Sequence, residues 1–234
     1  ENQYRLLTLS NKKIFDLILN SYEKKCQGIS LDKNEFVISK DEILEFSVIP
    51  REQIARYIIY RYKYNLYSNL KIIDKYPPCV QLEIASICNF RCIMCYQVDK
   101  NFSSKSKGYM GYMNLDIFKN AIDELEGNVE AITLASRGEP MLNPQISEML
   151  AYMKGKFLGS KINTNASILS EKLIHELLSA DLQTIVFSVD ASDKETYEKI
   201  RVNGNFEKVK ANIELFHKIK TRDYPKSRTI SRIS

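Results

Sequence analysis

From Cys79 to the last residue, short apolar runs alternate with stretches of helical period, and this alternation constrains the fold more than anything else in the chain. Strands buried on both faces read as continuous apolar segments, and each following helix must lay one stripe against them, so the repeat makes βα units on a parallel sheet. Strands are expected at residues 80–85, 129–135, 157–163 and 184–189, with residues 229–234 beginning a fifth. Between them, Asn114 can cap a helix with Leu115, Phe118, Ala121, Ile122 and Leu125 on one face and Gly127 past its end. Asn143 and Pro144 offer a cap and a first position for a helix bearing Ile146, Met149, Leu150 and Met153. Ser170 caps one with Leu173, Ile174, Leu177 and Leu178, and helical pieces over 193–200 and 205–220 flank Asn203-Gly204. Repeats of this kind close into a barrel or stay open as a doubly wound sheet. Both put ligand sites on the loops leaving the C-terminal ends of the strands. No dinucleotide glycine fingerprint and no phosphate loop follows any strand, which leaves a nicotinamide cofactor or nucleotide hydrolysis without support.

Residues 1–76 are compositionally different, rich in Tyr, Asn and Lys, and end at the helix-breaking Pro77-Pro78. They are expected to form a mainly helical N-terminal accessory domain, with residues 77–234 as the α/β core. Ile14, Phe15, Leu17, Ile18 and Leu19 give a short helical stripe, and residues 35–38 read as extended. A longer helix is expected from Pro50 towards Asp74, with Ile54, Ile58, Leu66 and Leu70 inward. It carries Arg51, Arg56, Arg61, Lys63 and Lys71 among Tyr57, Tyr60, Tyr62, Tyr64 and Tyr67. Basic residues interleaved with aromatics can bind RNA by stacking and phosphate contact. The plainer alternative is a solvated basic face with tyrosines packed half in.

The excess of 34 Lys+Arg over 29 Asp+Glu, a net +5, is too small to imply a nucleic-acid partner. No window approaches the roughly 18 to 20 apolar residues of a membrane span, and no apolar signal segment follows the N-terminus, so a soluble, cytoplasmic protein is expected. The chain starts at Glu1 without Met and stops inside an apparent strand, which suggests a piece of a longer product.

Three of the five cysteines fall in Cys88-Asn89-Phe90-Arg91-Cys92-Ile93-Met94-Cys95. Crowding of this kind is not a secreted disulfide framework. Three thiolates on one tight loop can hold three irons of a [4Fe–4S] cube, leaving the fourth open to a small chelating molecule. The competing assignment is a structural zinc. It needs a fourth ligand, and neither His175 nor His217 is near in sequence, although Cys26 or Cys79 could supply one.

C-x-x-x-C-x-x-C after a first strand resembles the radical S-adenosylmethionine (radical SAM) superfamily. The resemblance covers residues 76–234 and implies a partial (β/α)6 barrel, TIM-like, of which four units and the start of a fifth are present. It implies that Cys88, Cys92 and Cys95 hold the [4Fe–4S] cluster, that S-adenosylmethionine chelates the open iron, and that an electron cleaves it to methionine and a 5′-deoxyadenosyl radical. Arg137-Gly138-Glu139-Pro140 after the second strand resembles the family's glycine-glycine-glutamate motif, with Arg137 in place of the first glycine. There Gly138 would let the backbone approach the ligand, and Glu139 or nearby carbonyls would accept from the methionyl ammonium. Asn163-Thr164-Asn165 after the third strand offers groups suited to ribose hydroxyls, and Ser188 and Asp190 alternate with apolar neighbours towards one face. Met94 stands where the family commonly has an aromatic residue; Met can pack on adenine, and Tyr96 lies close by.

Residues 200–209 resemble the subgroup whose members carry a C-terminal cysteine-rich SPASM domain. Only Cys26 and Cys79 remain for further clusters, so auxiliary ligands would lie beyond Ser234. The resemblance implies an oxidoreductase that abstracts hydrogen from a peptide or small-molecule substrate, a sugar included. The partners implied are an external one-electron reductant, flavodoxin or ferredoxin, and further chain or a partner to close the barrel. An RNA-modifying radical SAM enzyme and a non-catalytic iron–sulfur or zinc protein are the alternatives.

Overall fold

The computed structural model describes residues 2–234, the side chains of residues 2, 41 and 105 excepted. The chain divides into two compact units, one ending at Cys79 and the other spanning Val80–Ser234.

The first unit is helical: α1 (Asn2–Arg5), α2 (Leu9–Cys26), α3 (Lys40–Ser47) and α4 (Ile54–Leu70). Its core joins Ile14 and Ile18 of α2 to Ile59, Tyr62 and Leu66 of α4, with Phe36 between them. Residues 35–38 form no strand. They have no neighbouring strand to pair with and are docked on α2 by side chains, the Phe36 N–H donating to Ser21 Oγ at 3.3 Å and the Ile38 N–H to Tyr22 Oη at 2.9 Å. α4 begins after a 3₁₀ turn at Arg51–Gln53 and ends at Lys71, which takes a left-handed φ of 53°. Its inward face differs from the expected one: Ala55, Tyr57, Ile59, Tyr60, Tyr62 and Leu66 are buried, whereas Ile54, Ile58 and Leu70 are half-buried. The tyrosines outcompete the aliphatic stripe because their rings bring more apolar area inside.

The second unit carries five strands, β1 (Cys79–Leu82), β2 (Ala131–Leu134), β3 (Gly159–Thr164), β4 (Thr184–Phe187) and β5 (Ile230–Ile233), in the order β1-β2-β3-β4-β5. β2 with β3, β3 with β4 and β4 with β5 are parallel; Ile162 lies opposite Leu134 and Ile185. β1, β2 and β4 end before their apolar runs do, and residues just past β2 and β4 line the site, whereas β3 continues to Thr164, one residue beyond its expected end. Helices α5 (Leu115–Leu125), α6 (Ile146–Met153), α7 (Glu171–Ser179), α8 (Lys194–Ile200) and α9 (Phe206–Asp223) separate the strands. Asn114, Ser170, Asp193 and Asn205 cap their helices by accepting N–H bonds. Asn143 does not cap α6; Gln145 takes that position, and the Asn143 amide donates instead to the carbonyls of Ile84 and Met113 at 2.7 and 2.9 Å. Ile132, Leu134, Met149, Ile162, Ile185 and Phe187 lie at the centre of one core between sheet and helices. The unit is an α/β partial barrel, and all the βα loops leave it at one end.

Candidate active site

The loop after β1 is fixed by the chain on both sides of it. Buried Gln97 donates its amide to the Ser86 carbonyl at 2.8 Å and the Arg137 carbonyl at 2.5 Å, tying the loop to the one after β2. From the other side, the Arg91 and Ile93 N–H groups donate to the Val202 and Ile200 carbonyls at 2.9 and 3.0 Å. The Cys95 N–H donates to the Cys92 carbonyl at 2.9 Å and closes the turn.

Cys88, Cys92 and Cys95 line one cavity of about 280 Å³ at the C-terminal ends of the strands. N–H groups point at two of the sulfurs: Phe90 N–H donates to Cys88 Sγ at 3.4 Å, Asn165 Nδ2 lies 3.9 Å from the same atom, and Arg201 Nη1 lies 3.5 Å from Cys92 Sγ. Burial pushes the Cys88 thiol up, against the pull of the Phe90 N–H. Three thiols from one turn facing a common cavity are the donor set of a cube held by three thiolates, so the residues present fit the cluster. The histidines are engaged elsewhere: His175 Nδ1 lies 3.0 Å from the Tyr224 hydroxyl, and His217 packs against Phe187 and Phe216.

The loop after β2 is shaped by contact with the loop after β1. A Cβ on Gly138 would lie 2.1 Å from the Ala85 carbonyl oxygen and 2.7 Å from that of Ile87. The glycine is needed for this backbone-to-backbone approach, although it also lines the cavity. Glu139 is buried, and its carboxylate accepts from the Thr164 hydroxyl at 2.7 Å, the Asn165 N–H at 2.7 Å and the Met141 N–H at 3.1 Å. Burial pushes its carboxyl above the ordinary range, while those donors pull the other way. Glu139 also lines the cavity, and these three donors hold the carboxylate that, with nearby carbonyls, was expected to face the methionyl ammonium. Arg137, in the position of the missing glycine, is turned to Glu83, donating from Nε at 2.9 and 3.0 Å and from Nη2 at 2.5 Å.

At the C-terminal end of β3, Thr164 and the following Asn165 serve Glu139, and Asn163 keeps a buried Oδ1 with no partner. Ser188 and Asp190 also line the cavity. Strand alternation explains Ser188 only: just past β4 its N–H still donates to the Thr164 carbonyl at 2.8 Å, whereas Asp190 takes a left-handed φ of 64°. Met94 lines the cavity at 58% exposure. Tyr96 does not line it: a 3₁₀ turn starts there, and its half-exposed ring packs edge-on to Phe102 at 6.0 Å. Arg201, overlooked as a site residue, lines the cavity, pairs with Asp190 and leaves its buried Nε without a partner. An unpaired acceptor and an unpaired donor, each costly to bury, are groups that a bound polar molecule would satisfy.

The Radical SAM superfamily model matches residues 82–231, the stretch that carries the three thiols and the cavity they line. The chain belongs to the radical SAM superfamily. Members of the superfamily use a [4Fe–4S] cluster and S-adenosylmethionine. Over 150 residues the chain is 29% identical to the AdoMet-dependent heme synthase of Methanosarcina barkeri, covering 64% of this chain and 41% of that protein. Over 135 residues it is 33% identical to a probable GTP 3′,8-cyclase of Methanococcus maripaludis, covering 57% and 43%. The chain thus spans less than half the length of these curated relatives. In fold it is similar to SuiB of Streptococcus suis, solved with precursor peptide SuiA, with a TM-score of 0.52, 14% identity, and coverage of 94% of this chain and 45% of that one.

Proposed function

We propose that residues 77–234 are the catalytic core of a radical SAM enzyme. In this reading Cys88, Cys92 and Cys95 hold a [4Fe–4S] cluster, and Gly138, Asn163, Ser188, Asp190 and Met94 line the place of S-adenosylmethionine. When bound and reduced, the cluster supplies the electron that cleaves S-adenosylmethionine, and the resulting 5′-deoxyadenosyl radical takes hydrogen from a peptide or small-molecule substrate. The observation that carries the reading is the meeting, around one cavity, of three thiols from one loop with Gly138, Asn163, Ser188, Asp190 and Arg201.

The chain's own residues prepare that place. Gln97 and the backbone at 200–202 fix the cysteine loop so that its sulfurs need little rearrangement. Glu139 organises the ends of β2 and β3 by accepting from Thr164 and Asn165. Asn163 Oδ1 accepts from a hydroxyl or ammonium of the bound molecule, and Ser188 adds a hydroxyl to the same wall. Tyr96 is better read as packing at the loop's edge. The 200–209 run is the ground for placing the chain in the SPASM-like subgroup, and an external flavodoxin or ferredoxin is the proposed reductant. The first 76 residues are proposed as an accessory domain. RNA loses its main argument as a substrate, because Tyr57, Tyr60 and Tyr62 are buried and Arg61 is paired with Glu42.

Anaerobic reconstitution with iron and sulfide, then dithionite and S-adenosylmethionine, tests the proposal. 5′-Deoxyadenosine is expected, and its absence despite a full cluster would overturn the enzymatic reading. Cys92→Ala is expected to lose the visible thiolate-to-iron absorbance. Retention of that absorbance would refute the ligand assignment.

A further inference from the structure

Arg201 is held against a proposed cluster ligand by two separate devices. Its guanidinium pairs with Asp190 through Nη2 and points Nη1 at Cys92 Sγ, 3.5 Å away, with the side chain only 14% exposed. Its backbone belongs to the segment that pins the cysteine loop, since residues on either side of it accept from Ile93 and Arg91, and its own N–H donates to the Tyr197 carbonyl at 2.7 Å. Asp190 is fixed in turn at a left-handed φ of 64°, a conformation that costs a non-glycine residue roughly 1 to 3 kcal/mol, with its N–H donating to the Ser234 carbonyl at 3.0 Å. The strained acid thus touches the cation, and the cation touches the sulfur. Among the described residues, Cys88 by contrast receives neutral donors, the Phe90 N–H and the Asn165 amide.

A hydrogen bond to a thiolate and a nearby positive charge both favour the more negative, reduced state of an iron–sulfur cluster, and so raise its potential. A carboxylate paired with that cation acts in the opposite sense. We propose that Arg201 is a positioning residue that sets the reduction potential of the cluster through Cys92, and that Asp190 is the counter-charge limiting the rise. The proposal rests on the reading that the three cysteines hold a cluster. The step concerned is a single electron passing from the external reductant into the cluster, with no bond made or broken.

The test is a redox titration of the reconstituted protein, without S-adenosylmethionine, followed by electron paramagnetic resonance of the reduced cluster, with iron and sulfide counted in each sample. Arg201→Met is expected to keep a full cluster and shift the midpoint negative. At the parent's midpoint its reduced-to-oxidised ratio should fall about tenfold, the size of a 59 mV shift for one electron. Arg201→Lys should recover part of that loss, because it keeps the charge. Asp190→Asn should move the midpoint the other way. Midpoints unchanged in both Arg201→Met and Asp190→Asn, or shifted in the same direction, would overturn the proposal. If Arg201→Met cannot hold a cluster, Asp190→Asn decides alone: a positive shift supports the tuning role, and no shift or a negative one refutes it. A parent protein that assembles no cluster would instead defeat the cluster reading itself.

Discussion

Each unit of the protein buries an arginine against a carboxylate, and the two pairs are built differently. In the helical unit, Arg61 Nε donates to Glu42 at 2.7 Å, and Asn65 donates to the same carboxylate at 2.9 Å. Glu42 also closes the capping box of α3, accepting from the Ser39 N–H at 2.7 Å, while the Arg61 guanidinium lies over the rings of Tyr60 and Tyr64. In the barrel unit, Arg201 has one carboxylate, one sulfur and an unpaired Nε. Such buried unpaired side-chain atoms, among the described residues, all lie in the barrel unit. A closed polar network holds a fold together, whereas an open one marks where a ligand completes it.

Truncating each arginine gives the largest and most direct test of that contrast. Arg61→Leu leaves Glu42 buried at 5% exposure without its cation, and is expected to destabilise the helical unit by roughly 3 to 5 kcal/mol. Arg201→Leu leaves Asp190, whose side chain is 30% exposed and open to water, and should cost only about 1 kcal/mol. Urea denaturation of the full chain, read by far-ultraviolet circular dichroism, compares the two. Equal losses would erase the distinction between a structural pair and a site pair.

A second, smaller effect probes how the loops are held. The barrel unit fixes its β1 and β2 loops by backbone contact at Gly138, whereas the helical unit fixes residues 36–38 with the side chains of Ser21 and Tyr22. Gly138→Ala sets a methyl against carbonyl oxygens that cannot yield as a flexible side chain can, so about 2 to 3 kcal/mol of destabilisation is expected, with impaired cluster assembly. Tyr22→Phe removes one hydrogen bond and should cost about 1 kcal/mol with no effect on cluster content. Iron content and urea midpoint, measured on both variants, separate the two kinds of support. A Gly138→Ala protein with the parent's iron content would show that the loop can move without harming the site.

Sequence revealed what depends on local pattern and missed what depends on distant approach. β2 and β4 were legible because burial on both faces leaves continuous apolar runs, and the caps Asn114 and Ser170 were legible because each acts three residues away. The three cysteines were legible as a spacing. Glu83 holding Arg137 across 54 positions, and Arg201 reaching Cys92 across 109, have no local signature, since only the closed sheet brings their loops together. The 3₁₀ turn that starts at Tyr96 and sets its ring against Phe102 is likewise invisible in the spacing of the cysteines. Asn143 follows the same logic: Asn-Pro signals a helix start, but the amide's two carbonyl partners lie on other segments.

The smallest effect comes from protons and concerns the closed network alone. Burial pushes the Glu42 carboxyl up, but the Ser39 N–H, the Asn65 amide and the Arg61 guanidinium outweigh it and hold the group below its ordinary value. A carboxylate whose folded value lies below its unfolded one contributes stability that is fully present above the unfolded value and is lost as pH falls through the folded value. The helical unit should therefore weaken on acidification from neutral pH through the carboxylate range. Glu42→Gln keeps the shape of the side chain and removes its titration, so it should be less stable than the parent at neutral pH and lose part of the acid dependence. Thermal midpoints of parent and variant, followed from neutral to acid pH, should converge as Glu42 takes up its proton in the parent. Parallel curves would mean that another group carries the acid sensitivity, and that the Glu42 network is held by packing more than by charge.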